Sequence, residues 1–283
     1  MRLHVFQRPA LRRTDLAGRN HPPHDVGANM ARYTYRAYFL LVGLFASWVG
    51  LWGFLVPAQM GRALPWAVPP LHARFIAAMY LAGALAMAWS LFARRVAAVR
   101  IPIALAVLWT GALLLVSLRH LKEFDFAKPQ VWFWMGAYAV YPLWGAWLYF
   151  RARADGAAQA RAPDPALLAV AGACLLLAGA LFVVPEEMVR VWPWAIPALL
   201  ANIYAAPFFA YGLCALMLAR EARPEARRIV LGSMLAFTLL ALLASLLHLT
   251  LFRFDAPAAW VWFGTLAAAA VVLALRLAQA RKS

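Results

Sequence analysis

The chain of 283 residues is long enough for one or two soluble domains, but its composition excludes a soluble protein. Hydrophobic residues make up 65% of it and charged residues 13%, against roughly 45–50% and 25% in average soluble domains. The formal net charge of +16 does not indicate a nucleic-acid partner, because the basic residues flank long apolar runs. The composition therefore predicts an all-α membrane protein whose partner is the lipid bilayer.

Residues 1–37 are polar and basic, and we predict that they form a disordered cytoplasmic tail. Met30 leads directly into the first apolar run and is an alternative to Met1 as the native start. Eight apolar runs follow, each about twenty residues long, which is the length of helix that crosses roughly 30 Å of hydrocarbon. The predicted transmembrane helices are 38–56, 73–93, 101–118, 131–150, 166–184, 199–218, 229–251 and 258–275.

One stretch occurs twice and predicts an internal duplication. The pattern H-L-x-x-F-x-F-x-x-P-x-x-W-x-W-x-G starts at His120 and returns at His248, a displacement of 128 positions (248 − 120). Around it, the segments 54–136 and 182–264 share 32 identical residues in 83 aligned positions. Each copy holds four predicted spans, an even number, so both copies enter the membrane in the same orientation. We predict two parallel four-helix repeats, residues 38–150 and 166–283, joined by a cytoplasmic linker at 151–165.

The starts of three predicted helices carry a proline. Asp164 is predicted to cap the fifth helix, with Pro165 at its first position, where the missing N–H costs no hydrogen bond. Pro129 and Pro257 are predicted to begin the fourth and eighth spans in the same way.

The basic residues are distributed unevenly between the two sides of this predicted topology. Twenty of the 27 arginines and lysines lie on one side, and an excess of basic residues marks cytoplasmic loops, so both termini are predicted to be cytoplasmic. Arginine outnumbers lysine by 24 to 3 in an alanine-rich chain, which favours a bacterial cytoplasmic (inner) membrane. The basic residues predicted on the outer side are Arg62, Arg74, Arg119, Lys122, Lys128, Arg190 and Arg253.

Small residues recur every four positions on the second and sixth predicted spans, so each row lies on one helix face. Such rows let helix backbones approach closely in lipid, and we predict that these two spans pack tightly, with each other as one option. Because Cys214 belongs to one row, and Cys174 is forty positions away inside another span, no disulfide is expected. The two rows are Ala78, Ala82 and Ala86, and Ala206, Ala210 and Cys214.

Tryptophan-rich loops precede these two spans, with the sequence Trp192-Pro193-Trp194-Ala195-Ile196-Pro197 in the second copy and a related one, including Trp66, in the first. A W-P-W-x-x-P loop before a helix rich in small residues resembles bacterial multi-pass integral membrane proteins of uncharacterised function. The resemblance covers the membrane region and implies no particular ligand or reaction.

Polar side chains recur on one face of the third and seventh predicted spans. Thr110, Ser117 and His120 fall within a quarter-turn of helix surface, as do their counterparts Thr238, Ser245 and His248. Hydroxyl groups in lipid usually bond their own helix or a neighbour. The alternative is that both rows line a cavity open to the outer face.

The two histidines are the sharpest functional candidates, because symmetry could bring His120 and His248 together at the outer face. Facing histidines could ligate haem or a metal ion, or hydrogen-bond a quinone. A structural role is the alternative, since histidine at a helix C-terminus is stabilised by the helix dipole. No further residue has metal-ligand spacing, so no metal site is predicted.

The leading hypothesis is a non-enzymatic protein that binds or passes a small amphipathic ligand, or scaffolds a membrane protein partner, at its outer face. The alternative is a redox subunit with haem or quinone between His120 and His248. A lipid-modifying enzyme that uses Glu123, Asp125 and Asp255 is a third possibility, although no catalytic residue can be assigned. The candidate ligand-binding residues are His120, His248, Ser117, Ser245, Thr110, Thr238, Arg74, Asn202, Trp66, Trp194, Trp132 and Trp260.

Overall fold

The computed structural model describes residues 24–66, 68–152 and 161–282, and the regular elements in these ranges are all helical. Short 3-10 helices occupy several of the connections, at Pro57–Arg62, Val96–Val99, Leu121–Glu123 and Leu249–Leu251. The α-helices of the described residues are α1 (His24–Leu55), α2 (Pro70–Leu91), α3 (Arg100–Arg119), α4 (Pro129–Arg151), α5 (Pro165–Val183), α6 (Pro185–Val191), α7 (Ala198–Ala219), α8 (Pro224–Leu246) and α9 (Pro257–Lys282).

Seven helical segments of the described chain are long and apolar enough to cross a membrane. They coincide with seven of the eight runs that the sequence predicts, and they make the protein a multi-pass helical membrane protein. These segments are Tyr33–Leu55, Pro70–Leu91, Val96–Arg119, Pro165–Val183, Ala198–Ala219, Pro224–Leu246 and Pro257–Arg281.

The predicted span 131–150 forms helix α4 but is not among the seven. Helix α4 has 23 residues, about 35 Å at 1.5 Å per residue, which is long enough to cross a bilayer. Its composition explains the difference, because four tryptophans and three tyrosines lower its mean hydropathy through their indole N–H and phenol O–H groups.

Helix α1 begins well before the predicted start of the first span. It starts at His24, fourteen positions before residue 38 (38 − 24), so the expectation of a disordered segment through residue 37 is wrong from residue 24 onwards. No proline follows Pro23 before Pro57, so the helix can continue without losing a backbone hydrogen bond. The rest of the predicted tail, residues 1–23, lies outside the described residues.

Prolines mark the first turn of most of the other long helices. Pro129 and Pro257 begin α4 and α9 as predicted, at a position where the missing N–H costs no hydrogen bond. At the start of α5 the Asp164 side chain accepts a hydrogen bond from the Ala166 amide at 3.1 Å. The predicted cap is therefore confirmed, while residues 153–160 of the predicted linker lie outside the described part.

The helices pack in corresponding pairs that cross between the two halves of the chain. Helix α1 packs on α2 and α3 on α4 in the first half, and α5 packs on α7 and α8 on α9 in the second. In addition, α2 packs on α8, and α7 packs on α3. The second long helix of each half therefore lies against the third long helix of the other.

The rows of small residues contact helices of the other half. All six members are buried, which confirms the prediction of close packing, but α2 packs mainly on α1 and α8, and α7 on α5 and α3, rather than on each other. The Ser233 hydroxyl of α8 donates to the Ala82 carbonyl of α2 at 2.8 Å. On the other side, the Cys214 thiol of α7 lies 3.8 Å from the Ile101 carbonyl of α3. Both cysteines are free thiols.

The two ends of the bundle differ in chemistry. We call the end formed by residues 56–66, 68–69, 120–128, 184–197 and 247–256 the tryptophan end. The opposite end, formed by residues 92–99, 161–164 and 220–223 and the adjoining helix termini, is the arginine end. At the arginine end Asp164 is buried and contacts Arg227 of α8 at 3.4 Å and Arg276 of α9 at 3.1 Å. One carboxylate thus joins α5, α8 and α9.

Replacement of Asp164 by alanine is expected to destabilise the fold by about 3–5 kcal/mol, because it removes a helix cap and leaves the buried Arg227 guanidinium without its carboxylate. The measurement is thermal unfolding in detergent micelles. Glu187→Ala is the matched control, since the Glu187–Arg190 pair is mostly exposed and contributes about 0–1 kcal/mol. Equal losses in the two variants would contradict this assignment.

Gly232→Ala is expected to cost about 1–3 kcal/mol by overpacking. Gly232 of α8 lies directly against the Trp89 ring of α2, where an added methyl group has no room. Gly264→Ala serves as the control, because Gly264 is also helical but has no atom close to its missing methyl group. There the same substitution should stabilise the protein slightly. Similar unfolding midpoints for both variants would show that α2 and α8 are not in close contact.

Candidate functional site

His120 stands at the tryptophan end, where helix α3 stops, and its side chain is 13% exposed. Its Nδ1 lies 2.7 Å from Oε1 of Glu123, and its Nε2 lies 2.9 Å from Oδ1 of Asn202 on α7. The amide nitrogen of Asn202 donates to the Leu181 carbonyl at 2.8 Å, which leaves Oδ1 as the atom that accepts from the ring. Both ring nitrogens of His120 therefore face oxygen acceptors.

His248 occupies the corresponding position after α8 and has a different partner. Nη1 of Arg74 on α2 lies 2.6 Å from its Nε2, and Nε of Arg74 donates to the Phe54 carbonyl at 3.1 Å. A guanidinium can only donate, so Nε2 of His248 accepts and the ring proton is on Nδ1. Partial burial, followed by the charge of Arg74, lowers the pKa of His248 below its ordinary value.

The contacts of His120 and His248 are arranged in the same way on the two sides of the bundle. Arg74 and Asn202 are 128 positions apart (202 − 74), like the two histidines. Each histidine contacts the polar residue of the other half, and each polar residue also donates to a backbone carbonyl at the end of the helix before it. The four side chains tie the halves together at the tryptophan end.

The Nε2 atoms of the two histidines contact different partners. Nε2 of His120 contacts Asn202, and Nε2 of His248 contacts Arg74. A haem iron or quinone held between the rings would have to displace both contacts. The described residues also contain no group of three or more His, Cys, Asp or Glu that could hold a metal ion. The geometry favours the structural role of the histidines over the redox alternative.

A third histidine connects the halves more deeply in the bundle. His72 of α2 is buried, and its Nδ1 lies 2.6 Å from the hydroxyl of Tyr204 on α7. Phe75 packs on the same tyrosine with 4.6 Å between ring centroids. Sequence patterns do not indicate this contact, because the counterpart of His72 is Leu200, so His72 is not among the residues shared by the two halves.

The predicted hydroxyl rows serve packing. Each hydroxyl donates to the carbonyl four residues earlier on its own helix, at 2.6–2.9 Å. Ser117 also accepts from the indole of Trp134 at 2.9 Å, and Ser245 accepts from that of Trp262 at 3.0 Å. Thr110 lines a cavity of about 40 Å³, which has room for about one water molecule. The alternative of two rows lining an open cavity is therefore not supported.

The four candidate tryptophans divide into two kinds. Trp132 and Trp260 are each 64% exposed, and each indole donates to the carbonyl six residues earlier, on Phe126 and Phe254. Exposed tryptophans at a helix end fit an aromatic belt at the membrane surface. Trp194 is buried within an aromatic cluster, while Trp66 is half-buried against Trp134 and Phe124. These two fill the interior of the tryptophan end.

The three carboxylates of the enzyme hypothesis have separate surroundings. Glu123 accepts from His120, and Asp125 pairs with Lys128 at 3.3 Å while it accepts from the Ala127 amide. No contact joins Asp255 to either of them in the described residues. The structure therefore gives no pair of carboxylates arranged for acid–base chemistry.

A groove of about 350 Å³ lies between α3, α5 and α7, towards the tryptophan end. Apolar side chains form its lining, including Val116, Phe182 and Phe209. Leu115 and Val183 at its edge are 61% and 71% exposed, so the groove faces outwards from the bundle. In a membrane this surface meets lipid, and the groove is accessible from the hydrocarbon.

One cation stands at the rim of this groove. The guanidinium of Arg119 lies 5.4 Å from the ring centroid of Phe182, and it has no carboxylate partner among the described residues. Asn202 is close by, since its amide contacts the Leu181 and Phe182 carbonyls. Sequence reasoning missed Arg119 as a site residue. The sequence signal that could have identified Arg119 is that its counterpart in the other copy is an apolar residue, Leu247.

The corresponding surface of the first half is packed closely at one position. At Gly50 a methyl group would lie 2.7 Å from Cγ of Leu81, so this leucine packs directly on the glycine. The counterparts 128 positions later are Ala178 and Phe209. Because Ala178 carries the methyl group that Gly50 lacks, Phe209 cannot approach α5 as closely as Leu81 approaches α1.

Comparison with known proteins finds no matching family model, curated protein or solved structure. The site is therefore described by its own geometry, an apolar groove with one arginine at its rim beside a polar network that joins the two halves.

The lowered pKa of His248 makes a pH-dependent contribution to stability. Protonation of His248 is less favourable in the folded state than in the unfolded state. The contribution of His248 to stability is therefore fully present above the unfolded pKa of about 6.5 and is lost as pH falls through the folded pKa. We expect the unfolding temperature to fall below about pH 6.5 and the loss to shrink in Arg74→Met. The Arg62→Met control removes an exposed arginine from the same end and should keep the full pH dependence. An unchanged profile in Arg74→Met would contradict the contact.

Proposed function

We propose that the chain is an eight-span bacterial inner-membrane protein that binds or passes a small amphipathic ligand at its outer face. In this proposal α4 is the eighth span and the two halves are parallel four-helix repeats. Both termini lie in the cytoplasm, so the tryptophan end is the outer face and the arginine end is cytoplasmic. The distribution of basic residues and the length of α4 support this topology.

The observation that carries the functional proposal is the groove between α3, α5 and α7. Its lining is apolar and it opens towards the hydrocarbon, which suits an alkyl or isoprenoid chain. Arg119 at the rim supplies a positive charge at the level where a polar head would lie. An anionic head with one apolar tail matches both features.

The polar network beside the groove has a supporting role in this proposal. His120 and Asn202 hold the end of α3 against α7, and these two helices form two of the groove walls. A ligand that enters between α3 and α7 would therefore press on the contacts that join the halves. For this reason the proposal includes passage of a ligand between the helices as well as its binding.

The test uses a long-chain fatty acid that carries a photoactivatable diazirine, added to the purified protein in neutral detergent. We expect labelled peptides from α5 and α7 that include Phe182 and Phe209, and we expect unlabelled fatty acid to compete. Gly179→Leu should abolish the labelling, because Gly179 lines the groove and a leucine would fill it. The first copy already has a leucine, Leu51, at the corresponding position.

Gly172→Leu is the matched control. Gly172 and Gly179 lie on the same helix, both are exposed, and neither has an atom near its missing side chain, so both variants should fold. Arg119→Leu should weaken binding of the fatty acid by about fivefold, the effect of about 1 kcal/mol for one charge near a membrane surface. Equal labelling of the two glycine variants would contradict the proposal.

The same preparation tests the redox alternative and the scaffold alternative. A Soret absorption band that is lost in His120→Ala or His248→Ala would replace the ligand-binding proposal with a haem protein. A partner protein that copurifies equally with wild type and Gly179→Leu, without any labelling of the groove, would favour a scaffold.

A further inference from the structure

A cavity of about 400 Å³ lies at the arginine end, between the first turns of the α1 span and the α2–α3 connection. Three arginines line it, Arg36, Arg94 and Arg95, and the lining contains no carboxylate. All three are exposed, and none makes a side-chain hydrogen bond or ion pair within the described part of the chain. A nearby carboxylate, that of Glu225, accepts instead from the backbone amide of Arg94 at 3.0 Å.

The second half has internal carboxylates at the corresponding places. Arg223, the counterpart of Arg95, contacts Glu221 at 3.5 Å, whereas the counterpart of Glu221 is Ala93 (221 − 128). The counterpart of Arg36 is Asp164 (164 − 128), the carboxylate that contacts two arginines. Of the three cavity arginines, Arg95 therefore corresponds to an arginine that is already paired with an acidic residue, and Arg36 corresponds to an acidic residue.

We propose that this cavity binds the phosphate of an anionic membrane phospholipid. Guanidinium groups bind phosphate through paired hydrogen bonds, and an external anion would relieve the repulsion among three unpaired arginines. Phe92, which is 81% exposed, and Val96 border the same cavity and offer apolar surface for the start of an acyl chain. This apolar border favours a lipid over free phosphate as the source of the anion.

The experiment measures binding of phosphatidylglycerol to the purified full chain in neutral detergent by native mass spectrometry. Phosphatidylcholine and inorganic phosphate are measured in parallel. We expect saturable phosphatidylglycerol binding that millimolar phosphate does not displace, and weaker binding of phosphatidylcholine. The double variant Arg94→Gln/Arg95→Gln should bind phosphatidylglycerol about 25-fold more weakly, since each arginine near an anionic surface contributes about fivefold.

Ala93→Glu gives a sharper test, because it keeps all three arginines and introduces the carboxylate that the second half has at Glu221. It should weaken phosphatidylglycerol binding by about fivefold or more. The double control Arg62→Gln/Arg190→Gln removes two exposed arginines from the tryptophan end and should leave binding unchanged. Equal loss in the control would show general charge attraction and overturn the site, and full competition by inorganic phosphate would overturn the lipid assignment. Gly179→Leu should leave this binding intact, which separates it from the groove.

Discussion

The fold depends on the crossed packing of the two halves of the chain. Helices α2 and α7 carry the rows of small residues, and each row contacts a helix from the other half, through Ala82 and Cys214. In lipid there is little hydrophobic gain from bringing helices together, so close backbone approach and hydrogen bonds must hold the bundle. The contact of Ser233 with the Ala82 carbonyl is of this kind. Neither half could satisfy these surfaces alone, so the halves form one structural unit.

The polar contacts at the tryptophan end follow from the same constraint. Once α3 lies against α7 and α8 against α2, the histidine that ends each third helix is brought to the residue at position 74 or 202. The two contacts occupy the same place but differ in chemistry. Arg74 donates to its histidine, whereas the Asn202 oxygen accepts from its histidine. Nε2 of His248 is therefore a hydrogen-bond acceptor, whereas Nε2 of His120 is a donor.

The features predicted correctly from the sequence depend on local chemistry. Apolar runs located seven membrane-crossing helices, prolines located helix starts, and Asp164 next to Pro165 located a cap. Burial of the small-residue rows also followed, since four-residue spacing places them on one face. The contacts of the candidate site could not be predicted, because they join segments that are distant in the sequence. The sequence placed His120 and His248 on equivalent helix ends, but only the crossed packing decides that each meets a residue of the other half.

The two candidate binding regions could not be predicted for a related reason. Both lie at positions where the two halves of the chain carry different residues. Ala178 and Gly179 line the groove, whereas the counterpart of Ala178 is Gly50, on which Leu81 packs directly. A search for residues shared by the two copies selects the structural network and passes over these positions. The histidines, serines and inner tryptophans found in this way hold the bundle together.

The positions at which the copies differ point to a division of roles. In the second half, acidic residues pair with the arginines of the arginine end, while the groove near the tryptophan end is open. In the first half, Leu81 packs directly on Gly50, and the lining of the arginine-lined cavity contains no acidic residue. If the halves arose by duplication, the two ends of the bundle have changed differently in each half. A fold held by crossed contacts allows such differences, because the arginine-lined cavity lies beside the α2–α3 connection, and the groove lies along one side of the α3–α7 contact with α5 as its third wall.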